Sequence, residues 1–150
     1  MCTKPTKENE ESLVGFFICK ICCERRKCGS YFTQKNMDGF HTEYHGSTMV
    51  LYIEKEVDHH LAHIIRREVD DQIDQGKCQN LIMDFEGVPF MDSSGIGMVI
   101  GRQRKVNFFG GKVAISGIGP GIRRVFSMSG LFSLVPQYSQ VDDALRVLSK

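Results

Sequence analysis

Leu81-Ile82-Met83-Asp84-Phe85-Glu86-Gly87-Val88-Pro89-Phe90-Met91-Asp92-Ser93-Ser94-Gly95-Ile96-Gly97 is the stretch on which the fold turns. An apolar strand, Leu81 to Phe85, gives way to a Gly/Pro turn, and an Asp-Ser-Ser-Gly run then stands where a helix begins. Asp and Ser suit that place because their side-chain oxygens accept the backbone N–H groups that the first helical turn leaves free. The same N–H groups, together with the helix dipole, favour a phosphate. A serine at such a position tolerates reversible phosphorylation. Ser93 and Ser94 are therefore candidate switches, the alternative from these residues alone being a plain helix cap.

On the upstream side, His41 to Tyr44 and Thr48 to Ile53 read as two strands around the turn His45-Gly46-Ser47. Asp58 caps a helix whose apolar residues Leu61, Ile64, Ile65, Val69 and Ile73 recur at helical spacing, with Gly76 past its end. Downstream, the helix opened by Asp92 to Ser94 runs to about Asn107, and Gly110-Gly111 leads into a strand from Lys112 to Ser116. Pro120 suits the first position of a third helix, with Gly119 as cap and Gly130 past the end. Leu134-Val135 reads as a short last strand, and Val141 to Leu148 as a final helix. Strands alternating with helices after an initial hairpin predict an α/β fold: a single domain with a mixed, mostly parallel sheet and about four helices.

With 150 residues, 41% hydrophobic and 25% charged, the chain is of single-domain size and in the soluble globular range. From Phe40 onward 12 Lys/Arg face 13 Asp/Glu, a net charge of −1. A nucleic-acid module should be more basic, so no nucleic-acid partner is expected. No apolar run reaches the ~18 residues needed to span a bilayer. Leu13 to Cys19 comes nearest and is stopped by Lys20, while Glu8, Glu10 and Glu11 occupy the region that a secretory signal keeps positive. A cytoplasmic protein without a membrane partner is expected.

Residues 1–39 differ in composition and hold five of the six cysteines, Cys2, Cys19, Cys22, Cys23 and Cys28. Cys19-x-x-Cys22 with its neighbours could ligate zinc, yet no second Cys pair or His pair follows at zinc-finger spacing. No metal site is expected, and a disulfide framework does not suit a reducing cytoplasm. Met37 falls just before the first strand, so residues 1–39 are taken as an extension, poorly ordered or preceding the native start, and 40–150 as the domain.

Two glycine patterns, Gly95-x-Gly97 and Gly117-x-Gly119, invite a nucleotide-binding reading. The third fingerprint position is Ile100 in one and Ile122 in the other, and no Walker A lysine motif is present. No cofactor is expected. For hydrolysis, Ser94 lacks the Gly-x-Ser-x-Gly elbow, and Asp92 two residues away supplies no histidine relay. His59 and His60 read as first-turn residues after the Asp58 cap, and Arg123-Arg124 as a solvated helix face.

Taken together, Val57-Asp58-His59-His60-Leu61-Ala62, Asp92-Ser93-Ser94-Gly95, Gly110-Gly111 and Arg123-Arg124-Val125-Phe126-Ser127-Met128-Ser129-Gly130-Leu131-Phe132 resemble the STAS domain of anti-sigma-factor antagonists. The resemblance covers about Phe40 to Leu148. It implies that Ser94, the second serine of Asp-Ser-Ser-Gly, accepts a phosphate from an anti-sigma factor that is also a serine kinase using ATP. Asp92 and Ser93 would shape the loop around it, and Asp58, Asp92, Ser93, Ser94 and Gly95 would form the partner-binding surface. The unphosphorylated protein would bind the anti-sigma factor and free the sigma factor, and a serine phosphatase would reset the phosphorylated form. A regulator with no catalytic residues is implied, in the sporulation branch, since general-stress relatives carry Thr where this chain has Ser94. A general-stress antagonist and a nucleotide-hydrolysing α/β protein are the alternatives. Lys55-Glu56-Val57-Asp58 departs from the Gly-Glu-Leu-Asp run typical of the family but keeps the aspartate.

Overall fold

The computed structural model describes residues 33–35 and 39–149. β2 (Phe40–His45) and β3 (Thr48–Ile53) pair antiparallel in a register running from Phe40 opposite Ile53 to His45 opposite Thr48. The hairpin closes at Gly46, whose φ of 63° lies in the left-handed region that favours glycine. β4 (Asn80–Asp84) then pairs parallel with β3, and β5 (Val113–Ser116) parallel with β4, each after a crossover helix. The sheet thus begins as a hairpin and continues as parallel units.

α1 (His59–Asp74) buries Leu61, Ala62, Ile65, Val69 and Ile73, the stripe expected from the sequence, with Ile64 packed at its margin. α2 (Ser93–Phe108) buries Met98, Val99 and Val106. α3 (Pro120–Met128) starts at its proline and buries Ile122 and Phe126. These helices cover one face of the sheet, against Met49, Leu51, Leu81, Met83, Val113 and Ile115. The alternate residues Val50, Ile82 and Ala114 form a smaller cluster on the opposite face, with Ala144 and Leu148 of α5 (Val141–Leu148). Period-2 alternation in strands covered on both faces explains why these segments read as unbroken apolar runs.

Three features depart from the sequence reading. Leu134-Val135 is not a strand: Leu131–Leu134 forms one helical turn, α4, and the last strand is β6 (Gln137–Tyr138), parallel to β5. Leu131 is fully buried, and the Ser133 and Val135 amides donate to the carbonyls of Gly130 and Leu131, so local bonding and one anchor override an apolar pair too short to show a period. With α4 the described residues hold five helices rather than about four. In addition β1 (Thr33–Lys35), upstream of residue 40, pairs antiparallel with β2 and gives a six-stranded sheet in sequential order.

Charged side chains pin α1 against α2. Arg102 is 5% exposed, and its Nε lies 2.8 Å from Asp70 Oδ1. Lys105 Nζ lies 2.7 Å from Asp74 and 3.5 Å from Asp70. Burial lowers the pKa of Arg102 and the Asp70 charge opposes the shift; the Arg66 charge adds to the lowering and Asp74 opposes it, both less strongly.

Candidate functional site

Val57 and Met91 form an isolated parallel bridge between the segments that enter α1 and α2. The Val57 amide donates to the Phe90 carbonyl at 3.0 Å and the Asp92 amide to the Val57 carbonyl at 3.2 Å, and both bridge side chains are buried. The next residue on each segment is an aspartate in extended conformation that caps its helix. Asp58 Oδ1 accepts the Leu61 N–H at 2.7 Å. Asp92 Oδ1 accepts the N–H groups of Ser94 at 2.8 Å and Gly95 at 3.3 Å. The bridge therefore sets two helix N-termini side by side, each already satisfied in part by its own carboxylate.

Gly95 is buried at this junction. A Cβ built there would run into the Met91 side chain and stand 3.1 Å from Val57 Cγ1, so only hydrogen fits between helix and bridge. Ser93 points into solvent, whereas Ser94 and Asp92 are half-buried and Asp58 is exposed. Phe90, 56% exposed, adds an apolar side chain beside the loop.

The structure also brings in a residue whose role the sequence reading left as a first-turn position. His59, the first residue of α1, has Nδ1 3.2 Å from Ser94 Oγ. With the ring proton on Nε2, Nδ1 accepts the serine hydroxyl proton. A signal for this pairing exists in the sequence, because Val57-Asp58-His59-His60 and Met91-Asp92-Ser93-Ser94 share a pattern of apolar residue, capping Asp and two polar residues. His60 begins the same turn and is exposed.

A serine beside a histidine raises the question of nucleophilic catalysis. That chemistry needs a third group to orient the base and donors for an oxyanion. Asp58 is engaged with a backbone amide, and among the described residues no hydrogen bond joins the far ring nitrogen of His59 to a carboxylate. An open groove of about 700 Å³ lies nearby between Glu54, Glu56, Glu86, Pro89 and Gly121, but Ser94 does not line it. For nucleotides the fit is also poor. Gly95 and Gly97 lie inside α2, and Ile122, at the third position of the other pattern, is fully buried in the core.

Among the described residues there is no group of three or more His, Cys, Asp and Glu side chains arranged to hold a metal ion. Cys2, Cys19, Cys22, Cys23 and Cys28, the cysteines weighed as zinc ligands, lie outside the described residues. Cys78 is buried, and burial pushes its thiol up to about 11. Among the described residues no helix is long and apolar enough to cross a membrane.

The STAS domain family model matches residues 40–144. The chain belongs to the STAS domain family. Within it the chain is of the SpoIIAA (stage II sporulation protein AA) type, and its relatives carry the name anti-sigma F factor antagonist. The protein of that name from Paenibacillus polymyxa is 33% identical over 106 residues, covering 71% of this chain and 91% of its own length. The one from Lysinibacillus sphaericus is 39% identical over 84 residues, covering 56% of this chain and 72% of the relative. Among solved structures, the Bacillus cell fate determinant SpoIIAA in its phosphorylated form superposes with a TM-score of 0.57 at 30% identity, covering 79% of this chain and 99% of that one.

Proposed function

We propose that this protein is an anti-anti-sigma factor whose unphosphorylated form binds an anti-sigma factor serine kinase and so releases a sigma factor. Phosphorylation of Ser94 ends that binding, and a serine phosphatase restores it. The contact surface is built from Asp58, Asp92, Ser93, Ser94 and Gly95, which the bridge between Val57 and Met91 gathers at two adjacent helix N-termini. The protein acts as a regulator in the cytoplasm, without catalysis of its own, and in the sporulation branch; its relatives carry the name anti-sigma F factor antagonist.

The observation that carries this reading is the placement of Ser94: half-buried, in the first turn of α2, with its amide held by Asp92 and its hydroxyl turned to the N-terminus of α1. A hydroxyl there is reachable, and a phosphate in its place meets the positive end of a helix dipole. The modified protein therefore stays folded. Its partner surface, by contrast, gains about −1.5 to −2 charges beside Asp92. A penalty of even ~3 kcal/mol at the interface weakens affinity more than a hundredfold.

Incubation with the cell's own anti-sigma factor kinase and ATP, followed by phosphopeptide mass spectrometry, tests the acceptor. Wild type and Ser93→Ala take up phosphate at residue 94, and Ser94→Ala takes up none. Label that persists in Ser94→Ala and disappears in Ser93→Ala would move the acceptor to Ser93. Incubation with ATP alone labels neither and releases no phosphate, as befits a protein that is a substrate and not an enzyme.

A further inference from the structure

We propose that His59 is the charge partner of phosphorylated Ser94, its imidazolium pairing with the phosphate across the space between the N-termini of α1 and α2. The inference rests on the reading of Ser94 as the phosphoacceptor and adds to it the residue that receives the charge. It starts from the 3.2 Å approach of His59 Nδ1 to Ser94 Oγ, a side-chain hydrogen bond between the two helix N-termini. His59 is exposed and Ser94 half-buried, so the pair opens to solvent and leaves room for a phosphoryl group.

On α1 and α2 no other cation is as well placed. The first two turns of α1 and α2 contain no Lys or Arg. Arg102 and Lys105 lie farther along α2 and are engaged with Asp70 and Asp74; Arg102 is about 12 Å from Ser94 along the axis at the usual helical rise. On the two segments that carry the pair, the titratable groups are Asp58 and Asp92, whose carboxylates accept backbone amides, together with Glu56 before the first cap and His60 and His63 in the opening turns of α1. Of the three histidines, His59 is the one hydrogen-bonded to Ser94 among the described residues.

Phosphoserine has a second ionisation near pH ~6, and imidazole is the side chain that ordinarily changes charge in the same range. Placed together, imidazolium favours the phosphate dianion and the dianion favours imidazolium, so the two titrate as a coupled pair. The resulting hydrogen bond is charge-assisted on both sides. No bond is made or broken beyond the phosphoryl transfer that the kinase performs.

The test uses the full-length chain with phosphoserine installed at position 94 during translation, so that it does not depend on which serine the kinase selects. The ³¹P signal is followed against pH in the wild-type sequence, in His59→Gln, in His59→Asn and in His60→Gln. Either change at His59 raises the phosphate titration midpoint by about half a unit, through loss of the opposing charge, and His60→Gln leaves it where it was. A midpoint unaffected by both His59 variants, or moved as far by His60→Gln, would overturn the assignment. A kinase that ignores Ser94 would appear instead in the labelling experiment and would leave the ³¹P result standing.

Discussion

Gly95 shows how closely the site is fitted at the scale of one residue. It allows α2 to start directly against the Val57–Met91 bridge, because hydrogen is all that fits between the helix backbone and the Met91 side chain. Gly95→Ala should therefore destabilise the fold by about 1–3 kcal/mol, the usual cost of overpacking a tight core. Urea unfolding measures this, and an unchanged midpoint would show that Met91 can move aside freely. Ser93 and Ser94, adjacent in sequence, differ in the same physical terms: one faces solvent, and the other turns toward α1 with a hydrogen bond to His59. That distinction was not legible in the residues, where either serine could cap the helix. That the Asp92-Ser93-Ser94 run opens a helix with a polar cap was legible, and the structure gives the cap to Asp92.

At the scale of elements, α1 and α2 hold the two N-termini in register, and Arg102 with Asp70 is the pairing that locks them. The guanidinium is almost wholly buried, and its Nη1 has no hydrogen-bond partner among the described residues. Removing the carboxylate would leave a buried charge without its nearest counter-ion, whereas replacing the arginine by an apolar chain removes the need for one. Asp70→Asn should thus cost about 2–3 kcal/mol, and Arg102→Met clearly less. Equal losses in chemical denaturation would contradict this account. Nothing in the sequence announced the pair, because residues 32 positions apart meet only once both helices lie on the sheet, and an arginine in an amphipathic helix normally reads as solvated. The helices themselves were legible from their capping aspartates and apolar spacing. The strand expected at Leu134-Val135 was not, since four residues around a glycine hold too little pattern to separate a strand from one helical turn.

At the scale of the whole molecule, the sheet carries a large core under α1 to α4 and a small one under α5, divided by the alternation of side chains along β3, β4 and β5. The apolar runs made the strands readable, and the motifs placed the chain in its family. The division between faces emerged only with the register, and β1 pairs from a stretch whose composition gave no strand signal. Two ionisable groups in the larger layer bear on stability. Burial pushes the Cys78 thiol up to about 11, and burial followed by the Cys78 charge pushes the Tyr44 phenol up to about 12. Both pKa values are higher in the folded chain than in the unfolded one, so the folded state retains protons that the unfolded state loses. Their contribution is complete below the ordinary cysteine value, and it disappears as pH rises through about 9 to 12. Melting temperature should therefore be level near neutrality and decline above about pH 9. A flat profile up to pH 11 would show that neither group resists ionisation.

The central claim is that one phosphate on Ser94 switches off partner binding without unfolding the protein. It is tested most directly by calorimetric titration of the anti-sigma factor kinase with the unmodified protein and with the protein carrying phosphoserine at position 94, after circular dichroism has confirmed that both are folded. The account predicts an affinity at least about a hundredfold weaker for the phosphorylated form. Equal affinities for two equally folded forms would contradict it.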